Sequence, residues 1–240
     1  MIWVIPIAGK GTRTQKFGEF KPFIDIRRHK ILEWFISSIK KHIEPQDWLF
    51  FITTNYFAKK YKVKSEIKKI LIWQKLPNKF YLHECKDTPQ GISATVYLIR
   101  DDLPTNKPIT VINPDQYIDF EFPFKIKRKS CYMAIYSEFT NKSGFVEMKD
   151  GKIFRVIEKI NVSNLASAGV LIFPNKKSLT YAIEKQFTNN LMTKDEYYLA
   201  PSINYLIEAG YRVFPLPVIA KYDLGCPNGI KHFSEIKIGI

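Results

Sequence analysis

VIPIAGKGTRTQKFGEFKPFIDI, residues Val4 to Ile26, is the stretch from which the rest of the chain is read. A short apolar run, Ile2 to Ile7, gives way at once to Ala8-Gly9-Lys10-Gly11-Thr12-Arg13, so a buried strand opens directly into a glycine-rich loop. Glycines let a backbone approach a ligand closely and adopt dihedrals closed to other residues. Consecutive loop N–H groups then converge on an anion, with Thr12, Arg13 and Lys21 adding donors and charge. The lysine-serine pair of a P-loop is missing, and Arg13 stands where a dinucleotide fingerprint needs its third glycine, so both common glycine-loop readings fail on residue identity. The bland alternative is a tight strand-to-helix turn with surface cations.

Around this stretch lie 240 residues, enough for one large domain or two small ones, with no need of covalent staples. Cys85, Cys131 and Cys226 are odd in number, far apart and not at metal spacing, which reads as reduced thiols in a cytoplasmic protein. The chain enters a strand immediately and contains no apolar run of membrane-spanning length, so neither a signal peptide nor membrane insertion is expected. The formal net charge is +14, the electrostatic footprint of nucleic-acid or anionic-membrane binding. Yet the lysines are dispersed, and their densest runs, Lys59 to Lys69 and Lys125 to Lys129, read as solvated faces without a nucleic-acid motif. No specific nucleic-acid partner is expected. A positive field would also attract small phosphorylated ligands.

Ile31, Leu32, Phe35, Ile36 and Ile39 recur at helical spacing, followed by Lys40-Lys41 at the negative end of the helix dipole. Trp48 to Thr53 reads as a buried strand, Val63, Ile67, Ile70 and Leu71 mark a lysine-coated helix, and Phe80 to Cys85 a third strand. Alternation of this kind predicts a mainly parallel sheet covered on both faces, with ligand groups at the carboxyl ends of its strands. Lys86-Asp87-Thr88-Pro89-Gln90-Gly91 is a turn before a helix from Ser93 to Arg100, and Ile109 to Ile112 is a strand leading into Asn113-Pro114-Asp115. A carboxylate there, Asp115, is placed to hold a hard divalent cation against a phosphate. From Lys129 the alternation is expected to stop. Cys131 to Ser137, Phe145 to Met148 and Lys152 to Ile157 read as strands, with a turn at Asp150-Gly151. A helix from Pro201 to Ala209, a strand from Tyr211 to Pro217 and a short helix from Gly229 to Phe233 complete the reading.

Gly9-Lys10-Gly11-Thr12-Arg13 with Lys21-Pro22 resembles the signature of the nucleotidylyltransferases that activate sugar phosphates, the NDP-sugar pyrophosphorylases. Four further stretches, in the family's order, extend the resemblance over nearly the whole chain. They are Pro89-Gln90-Gly91, Asp115, the run from Gly144-Phe145-Val146-Glu147 through Gly151-Lys152-Ile153 to Glu158-Lys159, and Lys221-Tyr222-Asp223-Leu224-Gly225-Cys226-Pro227. The last looks like the family's Trp-X-Asp-X-Gly-Thr-Pro, with Lys221 and Cys226 in place of the tryptophan and threonine; likewise Phe20-Lys21-Pro22 stands for Pro-Lys-Pro. The resemblance implies an α/β fold of three αβα layers, a mainly parallel mixed Rossmann-like sheet with an added antiparallel portion on the sugar side. It implies one domain over 1–240, with 1–128 serving the nucleotide and 129–240 the sugar phosphate. Ala8, Gly9, Gly11 and Thr12 would wrap the triphosphate, Arg13 and Lys21 would be the catalytic cations, and Gln90 and Gly91 would face the base. Gly144, Glu158, Lys159, Gly169 and, from Asp195-Glu196-Tyr197-Tyr198, Glu196 would hold the sugar phosphate. Asp115 and Asp223 would bind Mg2+, or Mn2+ in its place.

The reaction so implied transfers a nucleotidyl group from a nucleoside triphosphate to a sugar phosphate, giving an NDP-sugar and pyrophosphate for surface polysaccharide biosynthesis. It needs no protein nucleophile, and no Ser-His-Asp or Cys-His arrangement is apparent. Two alternatives stay open: a CTP-dependent cytidylyltransferase acting on an alcohol or polyol phosphate, and a non-catalytic sugar-nucleotide-binding regulator. A glycosyltransferase of related fold would place metal on Asp-X-Asp, and Asn113-Pro114-Asp115 is not one. The base, the sugar and the oligomeric state are left open, a homodimer among the options.

Overall fold

The computed structural model describes residues 1–9, 11–123, 125–140 and 142–238. Its chain divides into two compact units, each assembled from three passages of sequence. One, here the loop unit, comprises Ile5–Thr88, Asn113–Asp119 and Ile219–Ile240; the other, the ring unit, comprises Met1–Val4, Pro89–Ile112 and Phe120–Val218. Gln90 and Gly91 fall in the ring unit and Asp223 in the loop unit.

In the loop unit, β1 (Ile2–Pro6, begun in the ring unit) runs out beside β4 (Trp48–Thr54), Ile7 N donating to Ile52 O at 2.8 Å. β4 in turn pairs in parallel with β5 (Lys79–Cys85), from Trp48 opposite Lys79 to Thr54 opposite Cys85. The apolar run Leu49 to Ile52 is buried throughout, as a strand covered on both faces requires. α1 (Ile31–Ile39) follows a two-stranded hairpin of β2 (Asp25–Ile26) and β3 (His29–Lys30) that its sequence did not announce. Glu33 accepts from Lys30 N at 3.0 Å, closing the first turn of α1. α2 (Asn55–Lys60) is capped by Thr54, and α3 (Val63–Trp73) buries Val63, Ile67, Ile70 and Leu71 while its lysines face water. A separate apolar cluster joins Ile24, Ile26, Ile31 and Trp34 to Leu224, Ile230 and Phe233. It docks α7 (Pro227–Glu235) and the residues before it, and Trp34 Nε1 donates to Ile26 O at 2.9 Å.

In the ring unit, β1 pairs in parallel with β6 (Ile109–Ile112), and β6 antiparallel with β11 (Leu165–Phe173). β11 pairs antiparallel with β8 (Ser130–Ser137), β8 in parallel with β12 (Arg212–Asp223), and β12 antiparallel with β10 (Lys152–Glu158). β10 then pairs with β9 (Gly144–Lys149), and β9 returns to β11 through Ala166 opposite Phe145. Five strands therefore close on themselves, β11-β8-β12-β10-β9. β7 (Gln116–Phe120) pairs β12. The antiparallel strands are thus hydrogen-bonded into a mixed sheet through β6 and β11 rather than appended to a parallel one. The expected end of strand-helix alternation at Lys129 is also corrected. After α4 (Ile92–Tyr97), helices α5 (Lys176–Thr188) and α6 (Leu199–Glu208) intervene between β11 and β12. The passage through α5 and α6 joins β11, antiparallel to β8, to β12, parallel to it. The Asn204 amide of α6 satisfies both backbone groups of Val156 in β10, accepting from its N–H at 2.9 Å and donating to its C=O at 2.8 Å. β10 meets β12 at Ile153 opposite Val213, and this side chain completes the ladder beyond that point.

Candidate active site

In the loop unit the strand-to-loop turn tightens into a short 3-10 helix, Thr12–Thr14, behind Gly11. Gly11 has φ +60°, in the left-handed region, and a methyl added there would lie 3.1 Å from Lys21 Cβ. The turn is closed by Thr14, whose N and Oγ1 both bond Gly11 O, at 2.9 and 3.0 Å. Ala8 is buried, Gly9, Thr12 and Arg13 are exposed, and Lys10 lies outside the described residues. The segment before Lys21 is held by side chains. Phe20 is buried and stacks on Phe57 at 4.7 Å and Tyr61 at 5.3 Å between ring centroids. Glu19 accepts from Tyr56 at 2.8 Å, Lys60 at 2.5 Å and Tyr61 at 3.0 Å.

Lys21 reaches Asp115, its Nζ donating to Oδ2 at 2.8 Å. Burial alone would push the Asp115 carboxyl up, but the charge and hydrogen bond of Lys21, with Arg13 and Lys221 beyond, hold it below its ordinary value. The backbone of Asp115 is fixed as well, its carbonyl accepting from Leu224 N at 2.9 Å. That bond brings the segment after β12 alongside. Asp223 Oδ1 accepts from Gly225 N at 2.7 Å, and Oδ2 from Cys226 Sγ at 3.1 Å. Gly225 lies where the two carboxylates converge: a methyl built on it would stand 2.5 Å from Asp115 Oδ2 and 3.0 Å from Asp223 Oδ1. Among the described residues no group of three or more His, Cys, Asp or Glu is arranged to hold a metal. Two carboxylates suffice for magnesium, which keeps several waters and takes its remaining ligands from substrate phosphates. Asp115, held below its ordinary value, and Asp223, which shares its approach across Gly225, fit that ion.

In the ring unit Gly144 stands opposite Glu158 in the β9–β10 ladder, and a methyl on it would lie 2.7 Å from Glu158 Oε2. Glu158 is 8% exposed, and burial, opposed by the charge of Lys159 and helped by that of Glu196, pushes its carboxyl up to about 7. Lys159 has a left-handed backbone, φ +57°, and its N–H donates to Ser143 O at 2.9 Å. Its ammonium donates to the Tyr198 hydroxyl, and Tyr198 O in turn accepts from the buried Gln186 at 2.7 Å. Glu196 is exposed and follows a two-residue turn, Lys194-Asp195, both at positive φ, rather than entering a helix. Gly91 has φ +95°, and a methyl on it would come within 2.7 Å of Tyr197 N and O, so the close passage of that backbone accounts for this glycine. Gln90 O accepts from Tyr197 N at 3.0 Å. Gly169, at φ +72°, sits in the irregular stretch of β11 between Ser167 and Leu171.

The structure thus gathers Gly11, Lys21, Asp115 and Asp223 in one unit, with Arg13 acting on Asp115 through its charge. Gly144, Glu158 and Lys159 gather in the other, with Glu196 acting on Glu158 likewise. Sequence reasoning missed Tyr198, Gln186 and Asn204, and also Glu19, whose grip on α2 no motif signals. The three cysteines are free, and among the described residues no helix is long and apolar enough to cross a membrane.

No family model and no curated protein sequence matches the chain. Solved structures do. The nucleoside-diphosphate-sugar pyrophosphorylase of Vibrio cholerae RC9 superposes with TM-score 0.84 at 22% identity, covering 98% of this chain and 100% of that one. A UDP-glucose pyrophosphorylase complexed with UDP-glucose follows at 0.74 and 16%, covering 97% and 96%. The inositol-1-phosphate CTP transferase of T. maritima gives 0.72 and 12%, covering 100% and 98%. The fold is therefore that of the nucleotidyltransferases. More narrowly, it is the fold shared by nucleoside-diphosphate-sugar pyrophosphorylases and this CTP transferase.

Proposed function

We propose that the protein is a sugar-phosphate nucleotidylyltransferase, taking a nucleoside triphosphate and a sugar phosphate to an NDP-sugar and pyrophosphate, in the cytoplasm, for surface polysaccharide biosynthesis. The observation that carries the reading is the convergence of Lys21, Asp115 and Asp223 beside a glycine turn that begins at the end of β1. Ala8, Gly9, Gly11 and Thr12 wrap the triphosphate, and a methyl on Gly9 would meet nothing within 4 Å, leaving its backbone open to approach. A phosphate oxygen of the sugar phosphate attacks the α-phosphorus and pyrophosphate leaves. Arg13 and Lys21 offset charge on the phosphates, so the protein contributes alignment and electrostatics rather than a nucleophile. Asp115 and Asp223 hold Mg2+, or Mn2+, which when bound neutralises triphosphate charge. Gln90 and Gly91 face the base. Lys159 takes the sugar phosphate's charge, with Gly144, Glu158, Gly169 and Glu196 along the sugar.

A second reading is favoured by the likeness to the inositol-1-phosphate CTP transferase: CTP as donor and an alcohol or polyol phosphate as acceptor. Both are tested by pyrophosphate release over five nucleoside triphosphates crossed with sugar and polyol phosphates. Release confined to CTP with a polyol phosphate would favour the second reading, and release with no pair would favour a binding protein without turnover.

A further inference from the structure

Of the four carboxylate oxygens that Asp115 and Asp223 offer a cation, three already accept hydrogen bonds. Lys21 Nζ holds Asp115 Oδ2, Gly225 N holds Asp223 Oδ1, and Cys226 Sγ holds Asp223 Oδ2. The first of these donors is itself a cation, 2.8 Å from its acceptor and only 19% exposed. A divalent ion arriving alone at Asp115 Oδ2 must therefore displace the ammonium group already bonded there. The ion would also meet the charges of Arg13 and Lys221, both of which act on Asp115. Displacing Lys21 without giving it a new partner strands a desolvated charge, which is costly.

We infer that Lys21 is a resident counter-ion for the metal site: it excludes a free divalent cation from Asp115 and yields the carboxylate only when a polyphosphate supplies the ammonium with another anion. The inference rests on the triphosphate reading of this site. Metal and triphosphate then bind with positive coupling, which by linkage runs equally in both directions. Lys21 changes partner, from carboxylate to phosphate, as the two ligands enter. Asp115 and Asp223 keep their places, being fixed by Leu224 N and Gly225 N.

Binding of Mn2+ alone, followed by the spin-resonance signal of the free ion, tests this on the full chain without any turnover. Wild type should bind Mn2+ weakly, while Lys21→Met should bind it at least about tenfold more tightly, an effect of removing an adjacent charge and its hydrogen bond together. Lys221→Met removes a charge whose action on Asp115 is coulombic, and should tighten binding by no more than about threefold. Adding Asp115→Asn to Lys21→Met should abolish the gain. With inorganic tripolyphosphate as probe, calorimetry should show that saturating Mg2+ strengthens binding to wild type much more than to Lys21→Met. Equal Mn2+ affinity in wild type and Lys21→Met would overturn the inference, as would a gain in Lys221→Met matching that of Lys21→Met. Should Lys21→Met fail to fold, Lys21→Gln replaces it, and tight Mn2+ binding by wild type alone overturns the inference whatever the variants do. A chain that meets these expectations yet releases pyrophosphate with no substrate pair would refute the enzyme reading and leave the exclusion of free metal standing.

Discussion

Each unit holds a lysine and an acid that belong to the proposed chemistry, and the two pairs behave in opposite ways. Lys21 and Asp115 lie far apart in sequence yet meet at 2.8 Å, and the acid is held below its ordinary value. Glu158 and Lys159 are adjacent, yet the ammonium bonds the Tyr198 hydroxyl, and the buried carboxyl rises to about 7. Lys159 follows the last residue of β10 with a left-handed backbone, so sequence adjacency does not make a pair there, while a loop and a strand end can bring distant groups into contact. The contrast separates two kinds of acid: one kept charged, suited to a cation, and one poised to be neutral near physiological pH, suited to hydrogen bonding with a hydroxyl.

The largest effect should come from removing the charged acids. Asp115→Ala and Asp223→Ala are each expected to lower the rate of pyrophosphate release at least about a hundredfold while the fold survives, as loss of a principal electrostatic contributor does. A folded variant with a near-normal rate would break the comparison on that side. Next comes the stability linked to Glu158. Its folded value lies above the ordinary 4.5, so the native state binds the proton more strongly, and stability is greatest below pH 4.5 and lost as pH rises through about 7. The loss should approach about 3 kcal/mol across that window, at about 1.4 kcal/mol for each unit of difference. Denaturant unfolding at pH 5 and pH 8 checks it, and Glu158→Gln should flatten the difference; an unchanged slope in that variant would remove Glu158 from the account. The smallest effect divides the substrates. Lys159→Ala should raise KM for the sugar phosphate about tenfold with little change for the triphosphate, and Arg13→Ala should do the reverse or lower kcat. If both variants affect both substrates alike, the lysines and acids of the two units do not serve separate ligands.

Much of the loop unit could be read from the chain, because Trp48 to Thr53 and Val63 to Leu71 carry unmixed signals: a solid apolar run and an apolar stripe among lysines. α5 could not. Its buried positions are Ser178, Leu179, Ala182, Ile183 and Gln186, and a stripe containing a serine, an alanine and a glutamine barely departs from a polar background. β7 and the β2–β3 hairpin were too short to show a period. The closure of β9 on β11 was invisible for a different reason, since no local pattern records which non-consecutive strands meet. At the site, residue type and place in the chain singled out Gly11, Lys21 and Asp115, while Asp223 came only from the resemblance. What each touches depends on chain passages far apart, so neither the Lys21–Asp115 bond nor the role of Tyr198 had a local trace. Gly91 carries a constraint with no local trace, since the Tyr197 backbone closes the place of its side chain whatever ligand it faces.

The ring of strands bears on how the protein acquires its structure. β9 and β10 can pair as soon as the turn at Asp150-Gly151 forms, but β8 and β12 are matched from Ser130 opposite Arg212 onward, with β9, β10, β11, α5 and α6 all lying between them in sequence. Pairings of such separation form slowly, because the entropy of closing the long loop is lost before the contacts are gained. Until β12 arrives, β8 and β10 each present an open edge of backbone donors and acceptors, able to recruit a strand from another chain. During synthesis β12 leaves the ribosome after all of these segments. The interval before it docks is when the chain is most exposed to aggregation and most dependent on chaperones.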